Sequence, residues 1–352
     1  MTAQFTAQNT MTKRPTRAKD LDQGVTTVID AGARYGMHPS WRGFGAPLRY
    51  YAFEPDHQEA ERLRRQAQPP GFEVIDLGLA SLEGERDLHI TKHRGYSSFL
   101  DVDPNSDWFG RYRPGEGEVE AVVRVKTCTL DGFAKDRGVC VDFLKLDTEG
   151  SELEILKGAP RQLSLHTMGI RVNVNFLPQY KDQMLFPDVH SFLMDNGFYL
   201  VNLDYFGRGL PHHGLFHNPD PQALDLERYG VLIAADGVWL LDYPRVVKRL
   251  KGQSDALAYA TLKYAYFCIL NHAHDVGLDT LVTFIEKEKG SFSPQVMSSK
   301  LYLSLRKVSA TLLGRWRVYP DSQWDLARAT FQKVFGLELE GGSRYWEMIQ
   351  DL

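Results

Sequence analysis

Four charged residues sit where a strand gives way to a loop, the position from which an open α/β sheet presents groups to a ligand. Asp30 ends the β-branched run VTTVID (25–30) and opens the turn Asp30-Ala31-Gly32-Ala33-Arg34-Tyr35-Gly36. Glu54 closes LRYYAFE (48–54), 22 residues after Gly32. Lys145 and Asp147 interrupt the apolar stretch VDFLKLD (141–147) at its carboxyl end. A glycine turn after a first strand lets a ligand approach the backbone and the N-terminus of the following helix. Dinucleotide-binding sheets do this with G-x-G-x-x-G, and this chain departs from that fingerprint at Arg34 and Met37. Asp30 would repel a pyrophosphate but attracts an ammonium group, directly or through water. S-adenosylmethionine carries an ammonium and a sulfonium and no phosphate. An acid at the place of Glu54 typically accepts two hydrogen bonds from a ribose diol. Either acid alone reads equally well as a helix cap or a solvated group. Together, on successive strand ends, they favour an adenosine-type cofactor.

The segment KLDTEGSELEILKGA (145–159) divides into structural and chemical parts. Ser151 with Glu154 spells a capping box, Glu152 falls in a first helical turn, and Gly158 fits a C-terminal cap. Those residues read as structural. Lys145 and Asp147 read either as a salt bridge or as groups facing a ligand.

The elements that must hold these residues alternate. Strands are expected at 25–30, 48–54, 72–77, 86–90, 119–127, 141–147, 168–174 and 197–204, with a last pair at 229–235 and 237–243. Helical patterns cover 57–67, 151–159 and 186–197. This order predicts an α/β fold, a mostly parallel Rossmann-like sheet flanked by helices. After Pro244 the strand patterns stop. Residues 245–352 carry 15 Lys+Arg against 11 Asp+Glu, net +4, while the remainder is −8. The expected organisation is a disordered tail over 1–22, an α/β domain over 23–244 and a helical C-terminal extension over 245–352.

Composition excludes several classes. With 352 residues, 43% hydrophobic and 24% charged, the chain has the makeup of a soluble globular protein. A net charge of −4 argues against a chain built to bind nucleic acid. Cys128, Cys140 and Cys268 are odd in number and far apart, which suits a reducing cytoplasm and no metal site. The stretch 207–221 holds His212, His213 and His217, and Pro211 and Gly214 disfavour a helix that would align two of them, so it reads as a substrate lid. Within 290–320 the basic residues Lys300, Arg306, Lys307, Arg315 and Arg317 occur without an acid. Leu301, Leu305, Val308, Leu312 and Trp316 share one helical face there. Such a helix, near 296–317, either packs its apolar face on the catalytic domain or makes peripheral membrane contact.

VIDAGARYG, AFEPD, GYSSF, TCTLDGF and VDFLKLDTEGSELEILKGA occur in the order and spacing of the FkbM-like methyltransferases. The resemblance covers roughly residues 25–243, and LDTEGSELEILKGA is its most specific part. It implies a class I methyltransferase fold with S-adenosylmethionine as cofactor. The implied reaction is methyl transfer to a hydroxyl of a sugar, glycolipid or other small-molecule acceptor. By position, Asp30, Gly32, Gly36 and Glu54, with Ala33 and Pro55 beside them, would hold the cofactor, and Asp147 would lie at its methionine end. Ser97 and Ser98 match a motif expected near the cofactor or substrate. Two departures stand out. Relatives often have Asn where this chain has Arg34, and a glutamate on the strand where IRVNVNF places Asn173. An amide cannot take a proton as a carboxylate does.

A neutral hydroxyl is a weak nucleophile, so a proton acceptor helps methyl transfer. Asp147 is the first candidate for that role or for orienting the acceptor, with Lys145 as its electrostatic neighbour and His93 or His190 as substitutes. The leading expectation is therefore an O-methyltransferase. Asn173 keeps open a catalytically weak or inactive methyltransferase-like binding or scaffold module.

Overall fold

A computed structural model of the chain describes residues 24–209, 230–315 and 321–339. The tail over 1–22, the three histidines of the 207–221 stretch, and Trp316 and Arg317 lie outside the described residues.

Seven strands form the central sheet: β1 (Thr26–Ala31), β2 (Leu48–Phe53), β3 (Phe72–Ile75), β7 (Phe143–Leu146), β8 (Gly169–Asn175), β9 (Phe198–Gly209) and β10 (Val231–Leu241). Their order is β3-β2-β1-β7-β8-β10-β9. The first five run parallel, and β10 enters antiparallel between β8 and β9. This is the Rossmann-like arrangement of class I methyltransferases. β1 is buried along its whole length, as a central parallel strand covered on both faces requires.

Three strand expectations need correction. RDLHI and VEAVVRVKT do not join the central sheet. They widen into β5 (Gly84–Thr91) and β6 (Val119–Cys128), an antiparallel pair that takes up the two-residue β4 (Gly78–Leu79) in a separate sheet. Most of β6 is exposed, so its valines reflect strand propensity rather than burial in the main sheet. The expected last pair, 229–235 and 237–243, is one strand. Register shifts between Leu232 and Asp236 absorb the irregularity that reads as a break.

From Tyr243 onward all described elements are helices, and the longest, Ser254–Leu270, is buried almost throughout. It lies on the sheet: Phe267 stacks on Phe143 with centroids 4.4 Å apart, and Trp41 fills the corner beside both. Lys263 reaches down to Asp142 at 2.8 Å, and the same carboxylate oxygen accepts the Thr27 N–H at 2.8 Å. The other side of this helix joins a second core with helices His274–Glu286, Lys300–Arg315 and Asp321–Phe335. There Leu301, Leu305 and Leu313 are buried, so these apolar positions of the basic helix are taken up inside the protein. Among the described residues no helix is long and apolar enough to cross a membrane.

Candidate active site

The turn after β1 is shaped by its neighbour. Gly32 has φ +80°, and a Cβ there would lie 1.7 Å from the Asp147 carbonyl oxygen. Only glycine lets the β1 turn and the end of β7 meet, and the Asp147 N–H donates to the Ala31 carbonyl at 3.0 Å. The expected helix does not follow directly, since the next helical turn begins at Pro39 and spans Pro39–Arg42.

A cleft opens beside this junction. Gly32, Glu54, Pro55, Ser98 and Asp147 line it, as sequence reasoning expects of a shared site. Asp30, Ala33, Gly36 and Lys145 do not line it. Asp30 is fully buried, and contact with a ligand's ammonium is closed to it by two neighbours. The Tyr50 hydroxyl donates to its Oδ2, and Lys145 Nζ lies 3.1 Å from Oδ1. Lys145 also reaches Asp147 Oδ2 at 3.3 Å, so one ammonium serves a buried acid and a half-exposed one. Burial alone pulls the Lys145 ammonium down, but Asp30 and Asp147 outweigh it and hold it above the ordinary lysine range. It stays charged and accepts no proton.

On the other side of the β1 turn, after β2, Glu54 is 3% exposed and its Oε1 accepts the Asp56 N–H at 2.9 Å. Burial pushes its carboxyl up to about 7, with Arg34 pulling the other way. Arg34 approaches Glu54 at 3.8 Å and binds Asp56 at 2.9 Å, which gives the departure from asparagine a structural role. Ser98 is buried, and its hydroxyl donates to the Glu149 carbonyl at 2.7 Å while accepting the Leu100 N–H at 3.0 Å. It fixes the loop carrying GYSSF to the turn carrying DTEG.

The capping box expected of Ser151 and Glu154 does not form. Ser151 makes no capping bond, and Glu154 turns away to Arg86 and to Ser81 at 2.9 Å. Glu152 serves the turn instead, accepting the Thr148 N–H at 2.7 Å and the Gly150 N–H at 3.0 Å. His190 stacks on Phe186 and accepts the Trp239 indole N–H at 3.3 Å, a packing role. His93 is exposed, and its ring packs at a tilt against Tyr96.

Sequence reasoning missed a polar group that register brings alongside Lys145. Lys145 pairs across the sheet with Arg171, and Asn173 pairs with Asp236, which pairs with Asp204. Arg171 is buried, donates to Asp204 and, at 3.0 Å, to Asp236, and binds Asn271 at 2.9 Å. The Asn173 amide donates to Asp236 at 3.1 Å. His38 lies nearby. Burial, then Arg171 and Lys145, lower its imidazole to about 4, so it is neutral. Its Nδ1 is assigned as an acceptor of the Ser40 N–H at 3.3 Å. Polar residues inside strand patterns were the available signal, but their pairing depends on an antiparallel register that no local pattern reveals. Glu149, which lines the cleft, and Tyr180, which it meets, were missed as well.

Residues 30–200 match the family profile described as Methyltransferase FkbM domain. A solved structure, the crystal structure of methyltransferase FkbM from Methylobacillus flagellatus KT, is similar with a TM-score of 0.34 and 16% sequence identity. The similarity covers 62% of this chain and 44% of that one, so the chain spans less than half the length of its solved relative. No curated protein matches. The matched span contains the glycine turn, Glu54, Ser98, the Lys145–Asp147 pair and Arg171, and the chain thus carries a methyltransferase domain of the FkbM family.

Proposed function

We propose that the domain binds S-adenosylmethionine in the cleft and transfers its methyl group to a hydroxyl oxygen of a carbohydrate-containing or secondary-metabolite acceptor. The observation that carries the cofactor is the charge of the cleft wall. Glu54 and Asp147 line it, and the two arginines that do so are already engaged. Arg34 is held by Asp56, and Arg94 binds Glu120 at 2.8 Å and the Thr91 carbonyl at 2.9 Å. Such a wall suits a ligand that is cationic at one end and free of phosphate. Leu77, Leu79 and Phe99 supply an apolar surface for a base.

The bound cofactor would supply an electrophilic methyl group. Glu54 would accept hydrogen bonds from the ribose, and Asp147, kept beside Lys145, would attract the methionine end. Asn173, Asp236 and Asp204 lie abreast on β8, β10 and β9, and this row of hydrogen-bonding groups supports a hydroxyl-rich acceptor.

Calorimetric titration with S-adenosylmethionine, S-adenosylhomocysteine and NAD tests the cofactor. Saturable binding of the first two without NAD is expected, and a folded protein that binds neither sulfur compound overturns the reading. The Asp147→Asn variant should bind S-adenosylmethionine about tenfold more weakly, since a charge-assisted contact carries roughly 1.5 kcal/mol or more.

A further inference from the structure

Tyr180 has one hydroxyl proton and two neighbours that both look like acceptors. Its oxygen lies 3.0 Å from the Tyr96 carbonyl and 3.1 Å from Glu149 Oε2. A carbonyl only accepts. When Tyr180 donates to Tyr96, its contact with Glu149 is a hydrogen bond only if the carboxyl carries a proton. Tyr180 is itself buried against Phe109, which fixes this arrangement.

The surroundings of Glu149 act in the same sense. Asp147 faces it from the end of β7 and Glu152 from the following helix, while Lys145 is the cation in range and is shared with Asp30 and Asp147. From the GYSSF loop comes Tyr96, which has Glu116 and Arg113 beside it. Burial first, and the two acids second, push the Glu149 carboxyl well above the ordinary range. The residue holds φ +57°, a left-handed conformation that costs a non-glycine residue energy, and Ser98 locks its carbonyl in place. Glu149 lines the cleft, and its Oε1 accepts no hydrogen bond among the described residues.

We propose that Glu149, positioned by Tyr180, is the catalytic residue that takes the proton of the acceptor hydroxyl, a role the sequence alone gives to Asp147. The proposal rests on the S-adenosylmethionine reading above. In the step, the acceptor oxygen forms a bond to the methyl carbon while the carbon–sulfur bond breaks and leaves its electron pair on sulfur. The hydroxyl proton passes to Glu149 Oε1. The group must be ionised beforehand, and positive charge entering the cleft favours that state, so loading should expel the proton that Glu149 holds in the free protein.

Proton release on binding reads this without any acceptor. Titrations in two buffers of different protonation enthalpy would compare S-adenosylhomocysteine, neutral at sulfur, with sinefungin, which bears an amine at the position of the transferred methyl. Both contain the ribose, so any proton lost from Glu54 is common to the two. Near neutral pH, sinefungin should release about one proton more than S-adenosylhomocysteine. Glu149→Gln should abolish the excess while still binding S-adenosylhomocysteine saturably, which shows that the variant is folded. Tyr180→Phe should move the pH at which the excess is half complete, which a merely structural role would not do. An excess that persists in Glu149→Gln, or that is absent in the unaltered protein, overturns the proposal. Failure of S-adenosylhomocysteine to bind the unaltered protein overturns the cofactor reading, and the proposal with it.

Discussion

Two buried lysine–aspartate pairs tie β1 to its surroundings, one at each end of the sheet. At the amino end, Lys263 from the long helix meets Asp142 at 2.8 Å, and the Thr27 N–H completes the acceptor. At the carboxyl end, Lys145 meets Asp30 at 3.1 Å and then Asp147 at 3.3 Å, with 39% of the Asp147 side chain exposed. The first pair balances one charge with one. The second sets one ammonium against two carboxylates, and the second carboxylate looks into the cleft. The chemistry of the two pairs is the same, and what separates a structural tie from a site is the surplus acid and the cleft beside it.

Substitution of each lysine tests that difference most severely. Removing one partner of a buried pair costs about 3–5 kcal/mol, so Lys145→Met and Lys263→Met should both lower stability strongly in urea denaturation. Only Lys145→Met should also weaken S-adenosylhomocysteine binding, by more than about tenfold. Equal losses of affinity in the two variants would break the comparison.

Glu54 sharpens it, because it is another cleft acid with only a shared cation. Its folded carboxyl titrates at about 7, above the ordinary value of 4.5. The contribution of this group to stability is therefore fully present below the ordinary value and is lost as pH rises through about 7. Thermal unfolding of Glu54→Gln should lack that decline and exceed the parent at alkaline pH. Binding has the opposite sign, since the ribose needs the ionised form. S-adenosylhomocysteine affinity should fall below about pH 7, approaching tenfold per unit, and a flat profile would remove Glu54 from the ribose.

The smallest effect belongs to a neutral residue of the same cleft. Ser98→Ala loses the hydrogen bond that joins the GYSSF loop to the DTEG turn and a second, local one from the Leu100 N–H. At about 1 kcal/mol each, the variant should melt a few degrees lower and bind S-adenosylhomocysteine several-fold more weakly. Unchanged affinity would confine Ser98 to packing.

The parallel strands, the glycine turn and the cleft acids were legible because each is a local pattern: a β-branched run, then a glycine, then a carboxylate at a strand end. The role of Gly32 was legible in place but not in cause, since the neighbour that forbids a side chain is Asp147, 115 positions later. Asp30 was read as a ligand contact because nothing near it in sequence announces Tyr50 or Lys145. Glu149 stands inside the most specific motif, yet its environment comes from Tyr180 and the Ser98 loop. The Arg171 group was illegible for a different reason. It exists only because β10 runs antiparallel between β8 and β9, and a one-residue slip would turn its side chains to the other face.

That register has an evolutionary consequence for Asn173. It sits directly across from Asp236 and donates a hydrogen bond to it. The glutamate that the family resemblance leads one to expect at 173 would set two carboxylates opposite each other and replace an attraction with a repulsion. The two positions are thus coupled: with Asp236 in place, an amide at 173 is favoured over an acid. Variation at these positions should be inherited as a pair, with the mixed double-acid state the rarest combination.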